Sequence, residues 1–393
     1  MNDKNSGRVF YVCFYAEPEV ESALATYPSA IGKIDYIIHT LKRIPREVVV
    51  VSIAPSRKGY FGGYCKRMDS LESHVYLRSH ASPKWLRRKW GILRHHRTIL
   101  SYLLKNVRRG DSVIVYHSLY NRFWLRLYRL FVPGRLILQI EDVFSELSPE
   151  TEKYRKAEWA LFRKMQKCLC VNDLICKKLP EVPEKAVAYG SYALPPNFKK
   201  EPRDTIHLVY AGVIEQERKA AFLAGEAMYH LTGNYELHIL GFGREADLAA
   251  LGDLIRRINK DLGRTAITYH GRLNGEAYWR FLQNCDIALS THAYTPESAA
   301  AADHTFPSKV ISYLANGLPV VTQRLAVLES SCIADYCTFY EAPLPKEIAV
   351  AVKNIAFCAE RDSRVQIARL DGEFFHNVKA LLGISDDERT TCP

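Results

Sequence analysis

The chain has 393 residues, 48% of them hydrophobic, and a formal net charge of +11 at pH 7. This length and composition predict two domains of ordinary size, each with an apolar core of its own. No apolar stretch approaches the roughly 18 residues of a membrane-spanning helix, and the ten cysteines follow neither a zinc-binding spacing nor a disulfide framework, which favours a reduced, cytoplasmic protein.

The first part of the chain alternates strands and helices, as a parallel sheet requires. Residues 8–15 predict a buried strand, a helix follows Gly32 and Lys33, and residues 47–53 predict the second strand. The apolar run of the first strand is too short for a secretory signal peptide. We interpret residues 60–78 as an irregular, aromatic loop.

Residues 84–135 hold 13 lysines and arginines but one acid, Asp111. They predict a long or broken basic helix over 84–109, a strand that ends at His117, and a second helix. In that second helix aromatic and apolar residues share a face opposite three arginines: Tyr120, Trp124, Leu127, Tyr128 and Phe131 against Arg122, Arg126 and Arg129. The pattern fits a membrane-surface helix and equally a solvated face over an ordinary core. The charge indicates an anionic partner.

The strand predicted over residues 135–140 leads directly into Glu141 and Asp142, with Glu146 shortly after. Ligands gather at the carboxyl ends of parallel strands, so these acids are candidates for binding a ligand's hydroxyl groups or for acting as a base. Capping of a helix by Asp142 is the alternative.

Pro195 and Pro196 mark the predicted domain boundary, which gives domains 1–195 and 196–360 and a C-terminal helix within 361–393. Strands of the second domain are predicted over 206–211, 236–240, 266–270 and 286–290, with helices between them. Gly212 follows the first of these strands, and Gly241-Phe242-Gly243 follows the second. Because the GxGxxG pattern is missing, NAD binding is disfavoured.

The most informative segment covers residues 303–322. Pro307 suits the first position of a helix that runs to Asn316, and Gly317 is predicted as the left-handed residue that ends it. Phe306 would then be an N-cap without a side-chain acceptor, which leaves N–H groups beside Lys309 for a phosphate. The alternative is an ordinary helix-to-strand turn with a solvated lysine.

The segment PSKVISYLANGLPVV resembles the donor-site segment of GT-B glycosyltransferases, near glycosyltransferase family 4 and its galactofuranosyltransferase-like variants, whose pattern is Pro-x-Lys-x-x-x-Tyr-Leu-x-x-Gly-x-Pro-Val. LVYAGVIEQERK, LHILGFG and ITYHGRLNGEAYWRFLQNCDIALS precede it in the order of that family's donor domain. The resemblance implies an α/β GT-B fold with two Rossmann-like, doubly wound domains that face a central cleft. It also implies that the C-terminal helix within 361–393 crosses back to the N-terminal domain. It also implies sugar transfer from a nucleotide sugar to a glycan or lipid-linked acceptor in cell-surface polysaccharide biosynthesis.

The resemblance also assigns roles to residues. The implied catalytic residues are Glu141, Asp142, Lys309 and Arg218. The implied donor-binding residues are Gly212, Lys219, Gly241, Phe242, Arg272, Leu273, His304, Phe306, Pro307, Ser308 and Ser312. Gly32 and His117 are implied on the acceptor side, with a structural helix-start glycine as the alternative for Gly32.

Three positions depart from the family. Glu141 stands where many members have a histidine, and His304 and Ser312 stand where many carry two glutamates. The usual sugar and ribose contacts of those glutamates therefore do not transfer to this chain. Either Arg218 or Lys219 would meet the diphosphate.

We expect no cofactor beyond the nucleotide sugar as co-substrate, and no metal ligands, because the Asp-x-Asp pair common in metal-dependent transferases is missing. Segment 84–135 is expected to contact an anionic membrane surface, which would place this cytoplasmic protein at the inner membrane face. Nucleic-acid binding is not expected, because no base-reading motif is recognisable. A catalytically inactive sugar-binding relative, suggested by the missing glutamates, is the remaining alternative.

Overall fold

The computed structural model describes residues 7–26, 28–132, 135–231, 233–355 and 362–384. The chain divides into two units: unit 1 extends to Ser191 and resumes at Glu373, and unit 2 is Tyr192–Gly372. The sequence analysis put this boundary at residue 195. Within the described ranges, no helix combines the length and the apolar character needed to span a bilayer.

Unit 1 is built on an eight-stranded sheet, flanked by helices. Its strands are β1 Val9–Cys13, β2 Val48–Ser52, β3 Gly59–Phe61, β4 Tyr64–Arg67, β5 Glu72–Tyr76, β6 Ser79–Ala81, β7 Ser112–Tyr116, β8 Leu136–Ile140, β9 Lys167–Cys170 and β10 Glu184–Val187. The sheet order is β10-β9-β8-β7-β1-β2-β5-β4, and β3 pairs separately with β6. Only the β4–β5 pairing in this sheet is antiparallel among the described strands.

The helices of unit 1 follow from the sequence pattern, with one difference in which residues a helix buries. They are α1 Pro28–Lys42, α2 Trp85–Asn106, α3 Arg122–Tyr128, α4 Phe144–Leu147, α5 Arg155–Phe162 and α6 Asp173–Lys177. The basic helix over 84–109 is confirmed as α2. The predicted aromatic face of α3 is wrong in part, because Leu127 and Phe131 are 52% and 60% exposed while Leu125 is buried beside Trp124 and Tyr128.

The aromatic loop predicted over residues 60–78 is also wrong. It contains β4 and β5, and β5 joins the central sheet next to β2. The pattern misses this strand because Glu72 and His74 replace the expected apolar residues. The two side chains contact each other, with His74 Nε2 2.7 Å from Glu72 Oε1, and Glu72 also forms an ion pair with Lys42.

Unit 2 has a six-stranded, wholly parallel sheet among its described residues, in the order β13-β12-β11-β14-β15-β16. The strands are β11 Ile206–Ile214, β12 Tyr235–Gly243, β13 Ile267–Tyr269, β14 Ile287–Ser290, β15 Val320–Gln323 and β16 Cys337–Tyr340. The helices are α7 Ala220–Glu226, α8 Glu245–Asp261, α9 Gly275–Gln283, α10 Pro296–Ala302, α11 Lys309–Ala315, α12 Ala326–Glu329, α13 Pro345–Lys353 and α14 Ser363–Leu381. The α/β class with two Rossmann-like units is confirmed.

One apolar cluster of unit 2 lies on one face of this sheet. It joins strand residues such as Leu208 and Ile239 to Leu251 of α8 and Ile348 of α13. Near-continuous apolar strands of this kind are typical of parallel sheets that are covered on both faces. The C-terminal helix α14 begins in unit 2, and its last residues belong to unit 1.

Candidate functional site

The strand order of unit 2 creates a switch point between β11 and β14. From β11 the chain moves outward to β12 and β13, and it then returns to β14 on the other side of β11. The crevice outside the carboxyl ends of two such strands is the usual ligand site of an open α/β sheet. Gly212 lies near that end of β11, and His292 follows β14.

Lys309 of α11 reaches this end of β11. A Cβ added at Gly212 would lie 1.7 Å from the Lys309 Nζ atom, so glycine leaves the space that the ammonium group occupies. The same Nζ lies 5.0 Å from the centre of the Tyr210 ring. The structure therefore joins two residues that the sequence analysis assigned to donor binding and catalysis.

Tyr313 holds α11 in this position. Its hydroxyl accepts a hydrogen bond from the Ala211 N–H at 2.8 Å and donates to the Ala211 carbonyl at 3.3 Å. Lys309 and Tyr313 are four residues apart and share one face of the helix. The buried tyrosine thus fixes the register between α11 and β11, and with it the place of the Lys309 ammonium.

The surroundings of Lys309 are positively charged. Burial, followed by the nearby charge of Arg218, lowers the pKa of Lys309 to about 8, against the opposing charge of Glu215. Burial, followed by Lys309 and Arg218, lowers the pKa of His292 to about 3, so this histidine is neutral at pH 7. Its backbone N–H donates to the Tyr340 hydroxyl at 2.8 Å. The positive charges of Lys309 and Arg218 repel each other. Binding of an anion between them would therefore be favourable.

His292 was missed by the sequence analysis. The signal was present, because a histidine directly after a predicted strand lies at the carboxyl end of a parallel sheet. The strand prediction ended at residue 290, and His292 was passed over.

The two predicted cations after β11 differ in their settings. Arg218 forms an ion pair with Glu215, with 2.6 Å between Nε and Oε2, and its side chain is 79% exposed. Lys219 is exposed and has φ of 54°, the positive φ of a left-handed residue, which among the described residues no other non-glycine adopts. Such strained backbone is found most often at functional sites.

The ends of β12 and β13 carry a second group of predicted donor residues. Gly212 and Gly241 are partners in the β11–β12 register, and a Cβ added at Gly241 would lie 1.8 Å from the Gly212 carbonyl oxygen. The Arg272 guanidinium lies 5.0 Å from the centre of the Phe242 ring, a cation–π contact. Leu273, the next residue, is half-buried. Glycine backbone and an aromatic–arginine stack thus adjoin each other here.

The start of α11 differs from the prediction. The N-cap is Ser308 and not Phe306, which is buried, and the helix has seven residues. A tight turn through Pro307 uses N–H groups that the prediction left free. The Ser308 N–H donates to the Phe306 carbonyl at 2.8 Å, and the Val310 N–H donates to the Pro307 carbonyl at 3.0 Å. The Gly317 prediction is confirmed, with φ of 80°.

The residues at the two family glutamate positions form hydrogen bonds within the protein. His304 is buried, and its Nδ1 lies 3.1 Å from the Ala300 carbonyl oxygen. Ser312 hydrogen-bonds the side chain of Tyr278 in α9. Neither arrangement reproduces a carboxylate at these positions.

In unit 1 Glu141 is engaged on both carboxylate oxygens. Its Oε2 lies 2.7 Å from Lys33 Nζ, and its Oε1 accepts a hydrogen bond from Gln139 Nε2 at 2.7 Å. The side-chain Oε1 of Gln139 in turn accepts from the buried Tyr11 hydroxyl. The sequence predicted Lys33 only as a residue beside Gly32 before a helix. A carboxylate that acts as a free base would have no such ion-pair partner. Asp142 follows Glu141 and is half-buried.

The two acceptor-side predictions have different outcomes. His117 is 1% exposed, and its Nε2 lies 2.6 Å from Oε1 of Glu158, which also accepts from the backbone N–H groups of Phe144 and Ser145. This histidine is therefore part of the interior and is not presented to a ligand. At Gly32 an added Cβ would meet no atom within 4 Å, so packing does not require glycine there.

Comparison with known proteins identifies the fold through solved structures and not through sequence. No family model matches the chain, and no curated protein matches its sequence. A trehalose-6-phosphate structure from E. coli, bound with UDP-2-fluoro glucose, superposes with a TM-score of 0.64 at 13% identity, over 96% of this chain and 100% of that one. The trehalose 6-phosphate synthase of Burkholderia multivorans gives 0.64 at 12% identity, over 96% and 99% of the two chains.

A third structure agrees with these two. A glycosyltransferase from Rickettsia africae has a TM-score of 0.62 at 12% identity, with 97% of this chain and 100% of that chain covered. The chain has the GT-B fold. In unit 2 of this fold, Gly212, Gly241, His292 and Lys309 lie together at the carboxyl ends of the strands.

Proposed function

We propose that the chain is a glycosyltransferase that binds a nucleotide-sugar donor on unit 2. The observation that carries this proposal is the position of the Lys309 ammonium at Gly212, beside His292 and near Arg218, at the switch point of a GT-B sheet. A structure with the same fold was obtained with UDP-2-fluoro glucose. A nucleoside diphosphate supplies the negative charge that this group of cations favours.

The chemistry follows from the leaving group. When the bond between the sugar and the diphosphate breaks, negative charge grows on the diphosphate oxygen. Lys309 would stabilise that charge from a fixed position, with Arg218 or Lys219 as a second, exposed cation. Glu141 is held by Lys33 and Gln139, so its role would be to orient groups in unit 1 and not to accept a proton.

The proposed acceptor is a glycan or a lipid-linked molecule of cell-surface polysaccharide synthesis, reached at the inner face of a membrane. We define the basic apolar surface as the large exposed apolar residues of segment 84–135: Trp85, Leu86, Trp90, Ile92, Leu93, Leu104, Phe123, Leu127, Leu130 and Phe131. Lysines and arginines lie among them, and Lys89 Nζ is 3.9 Å from the centre of the Trp85 ring. Exposed tryptophan beside basic residues is the composition of surfaces that bind anionic lipid.

A panel of nucleotide sugars tests the donor proposal. The full-length chain is screened by thermal shift with UDP-, GDP-, ADP- and TDP-sugars, and nucleotide release is then measured for those that bind. A donor at a hundred times its Kd should stabilise the fold by about 2.7 kcal/mol. Binding by none of the panel would overturn the proposal.

Lys309→Ala is the decisive variant. Loss of a preorganised charge at the leaving group should lower kcat by about 10²–10³-fold, with an unchanged circular dichroism spectrum. Lys346→Ala, an exposed lysine of the same unit, is the matched control and should keep full turnover. Near-normal turnover in Lys309→Ala would refute the role of this residue.

An inactive sugar-binding protein is the second candidate. It is favoured by His304 and Ser312, which stand where many members have glutamates and which contact Ala300 and Tyr278. The same panel separates the two, because an inactive protein would bind a nucleotide sugar and release no nucleotide with any acceptor.

A further inference from the structure

Unit 2 holds a group of histidines at the amino ends of its strands. His207 of β11 and Glu236 and His238 of β12 each offer a ligand atom, and these atoms all lie within 4.8 Å of one another. His207 and Glu236 are opposite each other in the strand register. His207 Nδ1 and His238 Nε2 face each other at 2.6 Å.

We infer that His207, Glu236 and His238 form a binding site for a divalent d-block cation, with Zn²⁺ as the reference ion. Two imidazole nitrogens and one carboxylate oxygen are a ligand set that zinc accepts, with water in the fourth position. A cation between the two imidazoles would separate their nitrogens to about 3.3 Å, the distance set by tetrahedral Zn–N bonds. This small rotation of two rings is the rearrangement that binding requires.

His270 supplies a second layer to this site. Its Nε2 lies 3.0 Å from His238 Nδ1, and Phe281 packs against both rings. If Nε2 of His238 binds the ion, its Nδ1 keeps a proton and donates to His270. Metal-binding histidines usually have such a partner, which fixes the tautomer and the ring orientation.

The Arg203 guanidinium competes with an ion for this position. Its Nη1 lies 3.1 Å from His207 Nδ1, the ligand atom that the ion would use. The side chain must withdraw on binding, and it has the room, because Arg203 lines a cavity of about 340 Å³ with Lys200, Glu201, Pro202, Thr205 and Asp286. Glu201 already lies within 3.6 Å of the guanidinium and would receive it.

The site is separate from the candidate donor site. His207 precedes Gly212 by five residues along β11, which is about 16 Å of extended strand. A cation there would fasten the amino ends of β11 and β12 together and would not touch a ligand at their carboxyl ends. The inference therefore stands or falls independently of the proposed transferase activity.

Metal titration tests the inference. The full-length chain, treated with chelator and dialysed, is titrated with Zn²⁺ by calorimetry and with Co²⁺ by visible absorption. We expect one ion per chain, tetrahedral Co²⁺ bands with nitrogen ligation, and a higher Tm with Zn²⁺. A chain that binds no stoichiometric ion would overturn the site.

Variants locate the ligands. His238→Ala should abolish both the Co²⁺ bands and the Zn²⁺-dependent rise in Tm. His270→Gln should keep the stoichiometry and weaken affinity by about 10–100-fold, as loss of an outer partner does. His230→Gln, an exposed histidine of the same unit, should change neither. One-to-one binding with intact Co²⁺ bands in His238→Ala would refute the site. If His238→Ala does not fold, the site is refuted when His230→Gln weakens Zn²⁺ affinity as much as His270→Gln does.

Discussion

Lys309 occupies the volume that a side chain at position 212 would need, and this makes Gly212 a sensitive probe of the candidate site. In Gly212→Ala the new methyl group would collide with the Lys309 Nζ and Cε atoms, which would be 1.7 and 2.7 Å away. The lysine end is flexible and can move aside, so the fold should survive with a nearly unchanged Tm.

The displaced ammonium should no longer meet a diphosphate. Nucleotide affinity in Gly212→Ala should fall by at least about tenfold, or about 1.4 kcal/mol, measured by calorimetry. Gly32→Ala is the control, because an added Cβ there meets nothing within 4 Å. Unchanged affinity in Gly212→Ala would show that the diphosphate, if bound, lies elsewhere.

The pKa of Lys309 predicts how nucleotide binding depends on pH. Its pKa of about 8 in the free protein lies below the ordinary 10.5. In the proposed donor site the protonated form would bind the diphosphate, so affinity should fall as pH rises through about 8. The stability of the free protein should change in the opposite sense, because a depressed lysine pKa is a cost below pH 8 that is relieved above it.

Calorimetry of UDP binding between pH 6.5 and 9.5 measures this dependence. Lys309→Arg keeps the positive charge and should remove the inflection, since arginine does not titrate in this range. An inflection that persists in Lys309→Arg would assign the titration to another group.

At the scale of single residues, sequence reasoning could name groups but not all of their partners. Lys309 and Gly212 were found because each belongs to a local pattern. Lys33 and Glu141 are separated by 108 positions, and their ion pair depends on the packing of α1 against the sheet. His117 looked accessible at a strand end, but Glu158 from a later helix buries it.

The side chain of Tyr313 attaches helix α11 to β11. The pairing of β11 with β14 covers Leu208 and Val209, and the Ala211 N–H beyond it is bonded by the Tyr313 hydroxyl. Tyr313→Phe would leave that buried N–H without this acceptor and should lower the free energy of unfolding by about 1–3 kcal/mol. Urea denaturation measures the change.

Tyr229→Phe is the control for this substitution. Tyr229 also donates a hydrogen bond, to Asp261 at 2.6 Å, but at an exposed position. Its loss should change the free energy of unfolding much less than the loss of the Tyr313 hydroxyl does, because water can replace the exposed bond. If both variants lose the same amount, the Tyr313 contact has no special structural role.

Elements were predictable where periodicity was strong. Helix α2 and the strands β1, β2 and β11 follow directly from their apolar patterns. The start of α11 was placed too early because Pro307 forms a tight turn and not a first helical turn. Strand β5 was missed because polar residues, Glu72 and His74, stand where apolar ones were expected and contact each other along the same strand.

At the scale of the whole molecule, positive charge is distributed unevenly along the chain. Segment 84–135 has 13 basic residues against one acid, while the net charge of the full chain is +11. The basic apolar surface lies within this segment. We expect the chain to co-sediment with phosphatidylglycerol vesicles, to ignore phosphatidylcholine vesicles, and to bind less at high salt.

A double variant identifies the surface. Trp85 and Trp90 are 57% and 61% exposed, and Trp85→Ser with Trp90→Ser should reduce vesicle binding several-fold. Leu344→Ser, at a 54% exposed leucine of unit 2, should leave it unchanged. Equal binding to neutral vesicles, or stronger binding to single-stranded DNA, would contradict the membrane assignment.

The two-unit α/β organisation was predictable because the sequence pattern of each half of the chain alternates between strands and helices. The passage of α14 from unit 2 into unit 1 was expected from the family resemblance and not from a pattern within the helix. This helix starts in unit 2, where Arg364 donates to the carbonyls of Ala315 and Pro195. It ends in unit 1, where Lys167 donates to the Leu381 carbonyl. These contacts join distant parts of the sequence and leave no periodic signal.

The paired glycines 212 and 241 have a consequence for substrate choice. Peptide groups are the same in every protein, so a platform made from them can recognise what all activated sugars have in common but cannot tell one base from another. Discrimination would have to come from the stacked side chains of Phe242 and Arg272 at its margin. Laboratory evolution that randomises positions 242 and 272 should therefore yield altered preferences, whereas randomising 212 and 241 should yield only losses.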